Sequence, residues 1–170
     1  MNTPFIQCER IYFCHWNSKN SQDARALWSN PLVSKYISTN GIFTEKEIEY
    51  RLNTEINNQL FYGVQYWPFY EKISKKLIGC CGFRPYDDSA LEFGVHIISD
   101  FWRQGYAVEA ATAAIAYCTV HIKPEKIIAG HNPNNMASAA LLKKLGFTFT
   151  HDEYYEPTGL MHPTYILELI

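Results

Sequence analysis

Ten residues, Phe101 to Ala110 (F-W-R-Q-G-Y-A-V-E-A), constrain this chain more than any other stretch. They follow a strand-like run, Leu91 to Ile98, and open an alanine-rich segment with helical spacing as far as His121. Strand, glycine turn and small-residue helix in that order predict a β-turn-α unit, in which Gly105 permits close backbone approach and Ala107 keeps the next turn small. The first N–H groups of such a helix have no acceptor within it, and the helix dipole adds partial positive charge, so the turn suits a phosphate. Tight strand-to-helix packing uses the same residue types, and G-x-A alone does not separate the two readings.

A chain of 170 residues is expected to form one domain, residues 1–170, with a core of its own. The 47% hydrophobic and 15% aromatic content argues against a disordered chain. A net charge of −2 without any block of like charge offers nucleic acid no electrostatic footing. The start, M-N-T-P-F-I-Q-C-E-R, lacks the charge and apolar run of a secretory signal, and no apolar run reaches membrane-spanning length. A cytoplasmic protein without a membrane partner is therefore expected. Five cysteines, an odd number without C-x-x-C spacing, indicate neither a disulfide framework nor a metal site; buried, reduced thiols are the expectation.

Element signals alternate along the chain. Ile6 to Phe13 reads as a strand, and Ser21 as the cap of a helix carrying Ala24, Leu27 and Trp28. Thr44 with Glu47 makes a capping box for a second helix, whose Ile48, Leu52, Ile56 and Leu60 recur every fourth residue. Phe61–Glu71 and Lys76–Arg84 read as a hairpin around K-I-S-K, joined by a third strand over 91–98. After the Gly105 helix come a strand over 126–131, the turn N-P-N-N, a helix from about Asn135 to Leu145 stopped by Gly146, and a hairpin over 147–155 and 161–169 around P-T-G. This order predicts an α+β fold: a mixed, mostly antiparallel twisted sheet flanked by about four helices, with a β-α-β crossover through the Gly105 helix.

Four segments in this order, C-E-R-I-Y-F, L-E-F-G-V-H-I, F-W-R-Q-G-Y-A-V-E-A and N-P-N-N-M-A-S-A-A-L-L-K-K-L-G-F, resemble the GCN5-related N-acetyltransferases (GNAT), in particular their RimJ/RimL-type, ribosomal-protein branch. The resemblance covers nearly the whole chain. It implies an acetyl-CoA-dependent N-acetyltransferase that moves acetyl directly onto a primary amine, on a protein N-terminus, an amino acid or a small amine. It also implies a splay between the strands at 91–98 and 126–131, opened by a local bulge, with the pantetheine arm added as a pseudo-strand. Val95, His96 and Ile97 would bond that arm, an N–H near His96 would polarise the thioester carbonyl, and the turn Arg103, Gln104, Gly105, Tyr106, Ala107 and Val108 would hold the pyrophosphate. Asn135 would contact pantetheine, with helix capping as the alternative. Ser138 would protonate the leaving thiolate, with an ordinary first-turn polar residue as the alternative. Two positions depart from the family pattern: Leu142 stands where many members carry a tyrosine acid, and Arg103 replaces a common glycine. Monomer and homodimer both fit.

Amine acetylation needs a neutral nitrogen, an activated carbonyl and a stabilised thiolate. A protein α-amino group, with a reference pKa near about 8, needs only a modest base. Glu92 and His131 are the candidates, followed by His96; the opposing readings are an exposed strand carboxylate and a turn histidine. Glu109 reads as scaffold bonding back to Arg10. Trp16, Trp28, Trp67 and Trp102 read as core or as acceptor-pocket walls, and the resemblance places Tyr154 and Tyr155 on that pocket. The alternative function is a non-catalytic acyl-CoA-binding or sensor domain; a structural protein retaining only the fold is the third.

Overall fold

The computed structural model describes residues 3–169; Met1 and Asn2, part of the N-terminal stretch read above, and Ile170 lie outside the described residues. The chain runs β1 (Ile6–Gln7), β2 (Ile11–Phe13), α1 (Ser21–Trp28), α2 (Pro31–Ser34), α3 (Glu45–Tyr62), β3 (Tyr66–Glu71), β4 (Leu77–Pro85), β5 (Ala90–Ile97), α4 (Tyr106–Tyr117), β6 (Lys126–Gly130), α5 (Met136–Lys144), β7 (Thr148–Tyr155) and β8 (Leu160–Glu168). These strands form one sheet in the order β1-β2-β3-β4-β5-β6-β8-β7, antiparallel except between β5 and β6. The α+β expectation holds, with five α-helices among the described residues where about four were expected.

Strand alternation sends side chains to two layers. Phe13, Trp67, Phe69, Cys81, Phe83 and Phe93 pack with Ala110, Ala111 and Ala114 of α4, whose lack of bulk lets that helix lie close to the sheet. Tyr66, Tyr70 and Cys80 point the other way, onto Trp28 of α1 and Ile48 and Leu52 of α3. All five cysteines are free thiols, four of them buried and Cys8 half-buried.

Local chemistry explains where the sequence expectations slipped. Ile6–Phe13 is a hairpin, not one strand, because the polar pair Glu9–Arg10 takes its corner and Cys8 N–H bonds the Ile11 carbonyl at 2.9 Å. Ser21 is the first residue of α1 and not its cap; a 3-10 turn over Ser18–Asn20 precedes it, capped by Asn17. The Thr44–Glu47 capping box is present. Phe61 and Tyr62 stay helical because α3 stops only at Gly63, whose φ of 71° ends it in the left-handed region. Leu60 is 73% exposed. A four-residue step overshoots a 3.6-residue turn by about 40°, so a row begun at Ile48 has rotated about 120° away by Leu60. The buried face instead follows Ile48, Leu52 and Glu55, with Gln59 behind them bonding the Trp67 indole at 3.0 Å.

Candidate active site

β5 and β6 pair only through Ala90↔Lys126, Leu91↔Ile127 and Glu92↔Ile128, then part. No bulge makes this opening: the β4–β5 register is unbroken from Pro85↔Leu91 to Gly79↔Ile97. The strands diverge because β6 remains paired with β8 as far as Gly130↔Thr164. Each of the two parallel strands is followed by a helix, so the N-termini of α4 and α5 lie at their carboxyl ends, where open α/β sheets place ligands.

Ladder parity decides which backbone groups face the gap. Ile98 N–H bonds the Ile78 carbonyl at 2.9 Å, so even-numbered residues of β5 turn their main chain toward β4 and odd-numbered ones turn theirs toward the opening. Val95 therefore presents both N–H and C=O. Ile97 presents its N–H, its carbonyl being bonded by the Trp102 indole at 2.8 Å. The His96 amide belongs to the ladder with Cys80 and does not face the slot, so of the three expected pantetheine-binding residues His96 offers no main-chain bond there, and an N–H near His96 that meets a carbonyl would be that of Val95 or Ile97.

The turn before α4 is braced from behind. Arg103 and Gly105 both sit in the left-handed region, at φ 59° and 83°. Gly105 caps α4 without any side chain covering its first turn, which leaves N–H groups there free of a side-chain cap. Arg10 bonds the Gln104 carbonyl at 2.9 Å, pairs with Glu109 at 2.7 Å and lies 4.3 Å from the centre of the Tyr106 ring. Glu109 is thus the scaffold partner of Arg10. The Tyr106 side chain is buried and its hydroxyl donates to Glu71 at 2.7 Å, so only its main chain can meet a ligand. Gln104 is tied to the Asp100 carbonyl at 2.9 Å, whereas Arg103 is exposed and makes no side-chain hydrogen bond or ion pair among the described residues. A free first turn, backed by a cation and followed by Ala107 and Val108, fits a pyrophosphate.

At the second helix N-terminus, the Asn135 side chain accepts from Ser138 N–H at 3.2 Å, the capping geometry of the alternative reading. The Ser138 hydroxyl makes no hydrogen bond among the described residues. His131 is buried with both nitrogens engaged: Nδ1 donates to the Asn132 carbonyl at 2.8 Å, and Nε2 is left to accept from the Tyr165 hydroxyl at 3.3 Å. Leu142 is buried in the core, so that position is a packing one.

On the α1–α3 face, β5 carries Glu92, Gly94 and His96. Glu92 accepts no hydrogen bond among the described residues; burial raises its carboxyl pKa, the adjacent Arg84 opposes that, and Glu153 and Glu55 add to the rise. Arg84, opposite Glu92 in the ladder, is claimed by Glu55: its Nε lies 2.9 Å from Oε1, which Nη2 also contacts. Glu55 is fully buried, and its second oxygen accepts from Tyr66 N–H at 2.8 Å. Burial alone would lower the Arg84 pKa, but the Glu55 carboxylate, with Tyr66 and Glu92, outweighs it and keeps the guanidinium charged. The Tyr66 ring lies between Arg84 and His96 and requires Gly94 beneath it, since a Cβ there would come within 2.4 Å of the ring. His96 Nδ1 accepts from the Trp28 indole at 3.2 Å, and burial, then Arg51 and Arg84, hold its pKa well below the usual imidazole range. It is neutral and has one nitrogen occupied. Across the groove, Tyr154 and Tyr155 are exposed on β7, and burial together with the charge of Glu153 from the same strand raises the Tyr86 pKa. Trp16, Trp28 and Trp67 are buried; Trp102 is partly exposed beside the slot.

Arg51, Glu55, Tyr66 and Arg84 escaped the sequence reading. One signal was available: Glu55 follows Ile48 by seven residues, two helical turns, which puts a carboxylate on the buried stripe of α3.

The family model for the acetyltransferase (GNAT) domain matches residues 10–148. The uncharacterized N-acetyltransferase p20 of Bacillus licheniformis is 30% identical over 132 residues, covering 74% of each chain. A GNAT-family acetyltransferase from Bacillus anthracis superposes with a TM-score of 0.81 at 24% identity, covering 96% of this chain and 98% of that one. The same score relates the fold to RimL, a ribosomal L7/L12 α-N-protein acetyltransferase solved with coenzyme A, at 12% identity over 95% of this chain and 96% of that one.

Proposed function

Because the chain belongs to the GNAT acetyltransferase family, we propose that it transfers acetyl from acetyl-CoA directly to a primary amine held on the Glu92 face of the slot. The observation that carries this reading is the parting of β5 from β6 immediately after Glu92, between two helix N-termini. Acetyl-CoA supplies the activated acetyl group. Val95 N–H and C=O bond the pantetheine amides in the manner of an added strand, and the first turn of α4 receives the pyrophosphate. Arg103, exposed at the mouth of that turn, adds charge to the same phosphates.

Glu92 is the base. Its raised pKa suits a carboxylate that must accept a proton from an ammonium group, directly or through one water, and it is not neutralised by Arg84, which Glu55 holds. Ser138 gives its hydroxyl proton to the departing thiolate, and Asn135 fixes the turn that aims Ser138. No base role falls to His131, which is committed to Asn132 and Tyr165, or to His96. The acceptor lies between α1–α3 and the β7–β8 hairpin.

Incubation with acetyl-CoA and a panel of amines, amino acids and peptides, read by thiol release and product mass, tests the reading. Acetylated product that is lost in Glu92→Gln, with acetyl-CoA affinity retained, is the expected result. Tight acetyl-CoA binding without any product would leave a binding or sensor domain in its place.

A further inference from the structure

Arg51, on α3 beside the proposed acceptor groove, has a guanidinium nitrogen without a partner. It lies three residues from Ile48, and its guanidinium is clasped between two rings, with Cζ 4.7 Å from the centre of Phe43 and 5.3 Å from that of Trp28. Its Nε is sealed from solvent and has no hydrogen-bond partner; among the described residues it is the one buried side-chain nitrogen or oxygen in this condition. One carboxylate, Glu55, acts on Arg51 through space, but it hydrogen-bonds elsewhere and faces two guanidinium groups. Glu55, one turn along α3, has one oxygen on Arg84 and the other on Tyr66 N–H. Arg84 is a second cation. His96 is neutral, and burial pushes the Cys80 thiol far up, so it stays protonated. A cation held rigidly by two aromatic faces, with donors left over, has the attributes of a receptor for a planar anion.

We infer that Arg51 binds a carboxylate of the acceptor, so that the substrate is an amine carrying a carboxylate group. This rests on the amine-acetylation reading above for the position of the amine and on the geometry around Arg51 for the carboxylate. The two ends are separated in the fold: the amine meets Glu92 on β5, and the carboxylate meets Arg51 on α3, with the Arg84–Glu55 pair between them as a neutralised floor. Arg84 cannot replace Arg51, because a second carboxylate would have to displace Glu55. The aromatic clasp fixes the guanidinium plane without using its N–H donors, which is what selective bidentate recognition requires. Two sources carry this chemistry, the carboxylate of a free amino acid and an acidic side chain near a peptide N-terminus.

Two arms test the inference and keep it separate from the catalytic reading. In the binding arm, glutarate and its diamide are titrated into the protein while the Arg51 Nε–H resonance is followed by NMR. Glutarate should shift that resonance saturably and the diamide should not. In the turnover arm, free amino acids are compared with their α-amides, and tetrapeptides with Asp at the second position with their Asn counterparts. Carboxylate acceptors should exceed their amides in kcat/KM by about 10- to 100-fold, the range of a charge-assisted hydrogen bond, and whichever pair shows the ratio identifies the source. Arg51→Met, which keeps an apolar side chain beside the rings but no donor, should bring that ratio near one, mainly through KM, and Arg51→Lys should restore part of it.

Amides turned over as well as carboxylates, or an Arg51→Met variant that retains the ratio, would overturn the inference while acetyl transfer stands. A glutarate-dependent shift with no acceptor acetylated would uphold the carboxylate site and overturn the transferase reading instead. Absence of both the shift and any carboxylate preference overturns the Arg51 site.

Discussion

Glu55→Ala tests the ionic floor of the groove. The carboxylate is 0% exposed and accepts from Arg84 Nε, Arg84 Nη2 and Tyr66 N–H. Removing it strands a guanidinium whose side chain is only 23% exposed, close to Arg51, and orphans a buried amide. Breaking one partner of a buried pair costs about 3–5 kcal/mol, and an unsatisfied buried N–H about 1–3 kcal/mol. The two overlap, and water reaching Arg84 reduces the first, so about 3–5 kcal/mol in total is expected. At about 2–4 °C per kcal/mol for a chain of this size, Tm should fall by about 6–20 °C. Glu55→Gln, which keeps an acceptor for Tyr66 N–H, should lose about half as much. The double change Glu55→Met with Arg84→Met should recover most of the loss, because a buried ion pair replaced by apolar groups of similar volume is often close to neutral. The assay is thermal and urea unfolding at pH 7. A fall below about 1 kcal/mol for Glu55→Ala, or a double variant worse than either single one, refutes the reasoning. The same perturbation has a kinetic signature. Once Glu55 is gone, Arg84 is free to pair with Glu92, and the acid limb of kcat/KM should move to lower pH.

Glu92 should set that limb at a pH above the ordinary carboxylate range in the unaltered enzyme, measured with an acceptor of constant charge. Its raised folded pKa means the folded state holds the proton more tightly than the unfolded chain, so its contribution to stability is lost as pH rises through the raised value; Glu92→Gln should raise Tm at pH 8, by an amount that shrinks toward pH 5. Arg103→Gly should relieve the left-handed strain at φ 59° and stabilise the fold by about 1 kcal/mol, yet weaken acetyl-CoA binding and flatten its salt dependence; unchanged affinity in titration calorimetry would remove Arg103 from the phosphate site. Gly94→Ala puts a Cβ 2.4 Å from the Tyr66 ring and should cost about 1–3 kcal/mol in chemical unfolding, with acceptor KM rising as Tyr66 is displaced.

Much of the fold was legible because its signals are local. The capping box at Thr44, the glycines ending α3 and α5 and the alternation along β5 each depend on neighbours a few residues apart. The turn at Gly105 was legible for the same reason, as was its partner role for the Asn135 helix once the order of segments suggested the family. Pairings between distant segments leave no mark in the spacing: Arg84 lies 29 positions from Glu55 and escaped, whereas the Arg10–Glu109 pair, 99 positions apart, was anticipated beside the family resemblance and not from periodicity. The choice between Glu92 and the histidines also escaped, because it depends on whose nitrogen or oxygen is already occupied by a carbonyl, an indole or a phenol from another strand or helix.

The sequence by itself determined a strand, a left-handed glycine turn and an alanine helix, since backbone sterics and helix capping act over a turn or two of chain. Only the tertiary structure decided that the expected splay would come from β6 following β8 and not from a bulge, that the Val95 main chain and not that of His96 would face the gap, and that Arg51 would be clasped between two rings with its Nε unpaired. Ladder parity and electrostatic pairing are properties of which strands and helices meet, and chain order does not contain them.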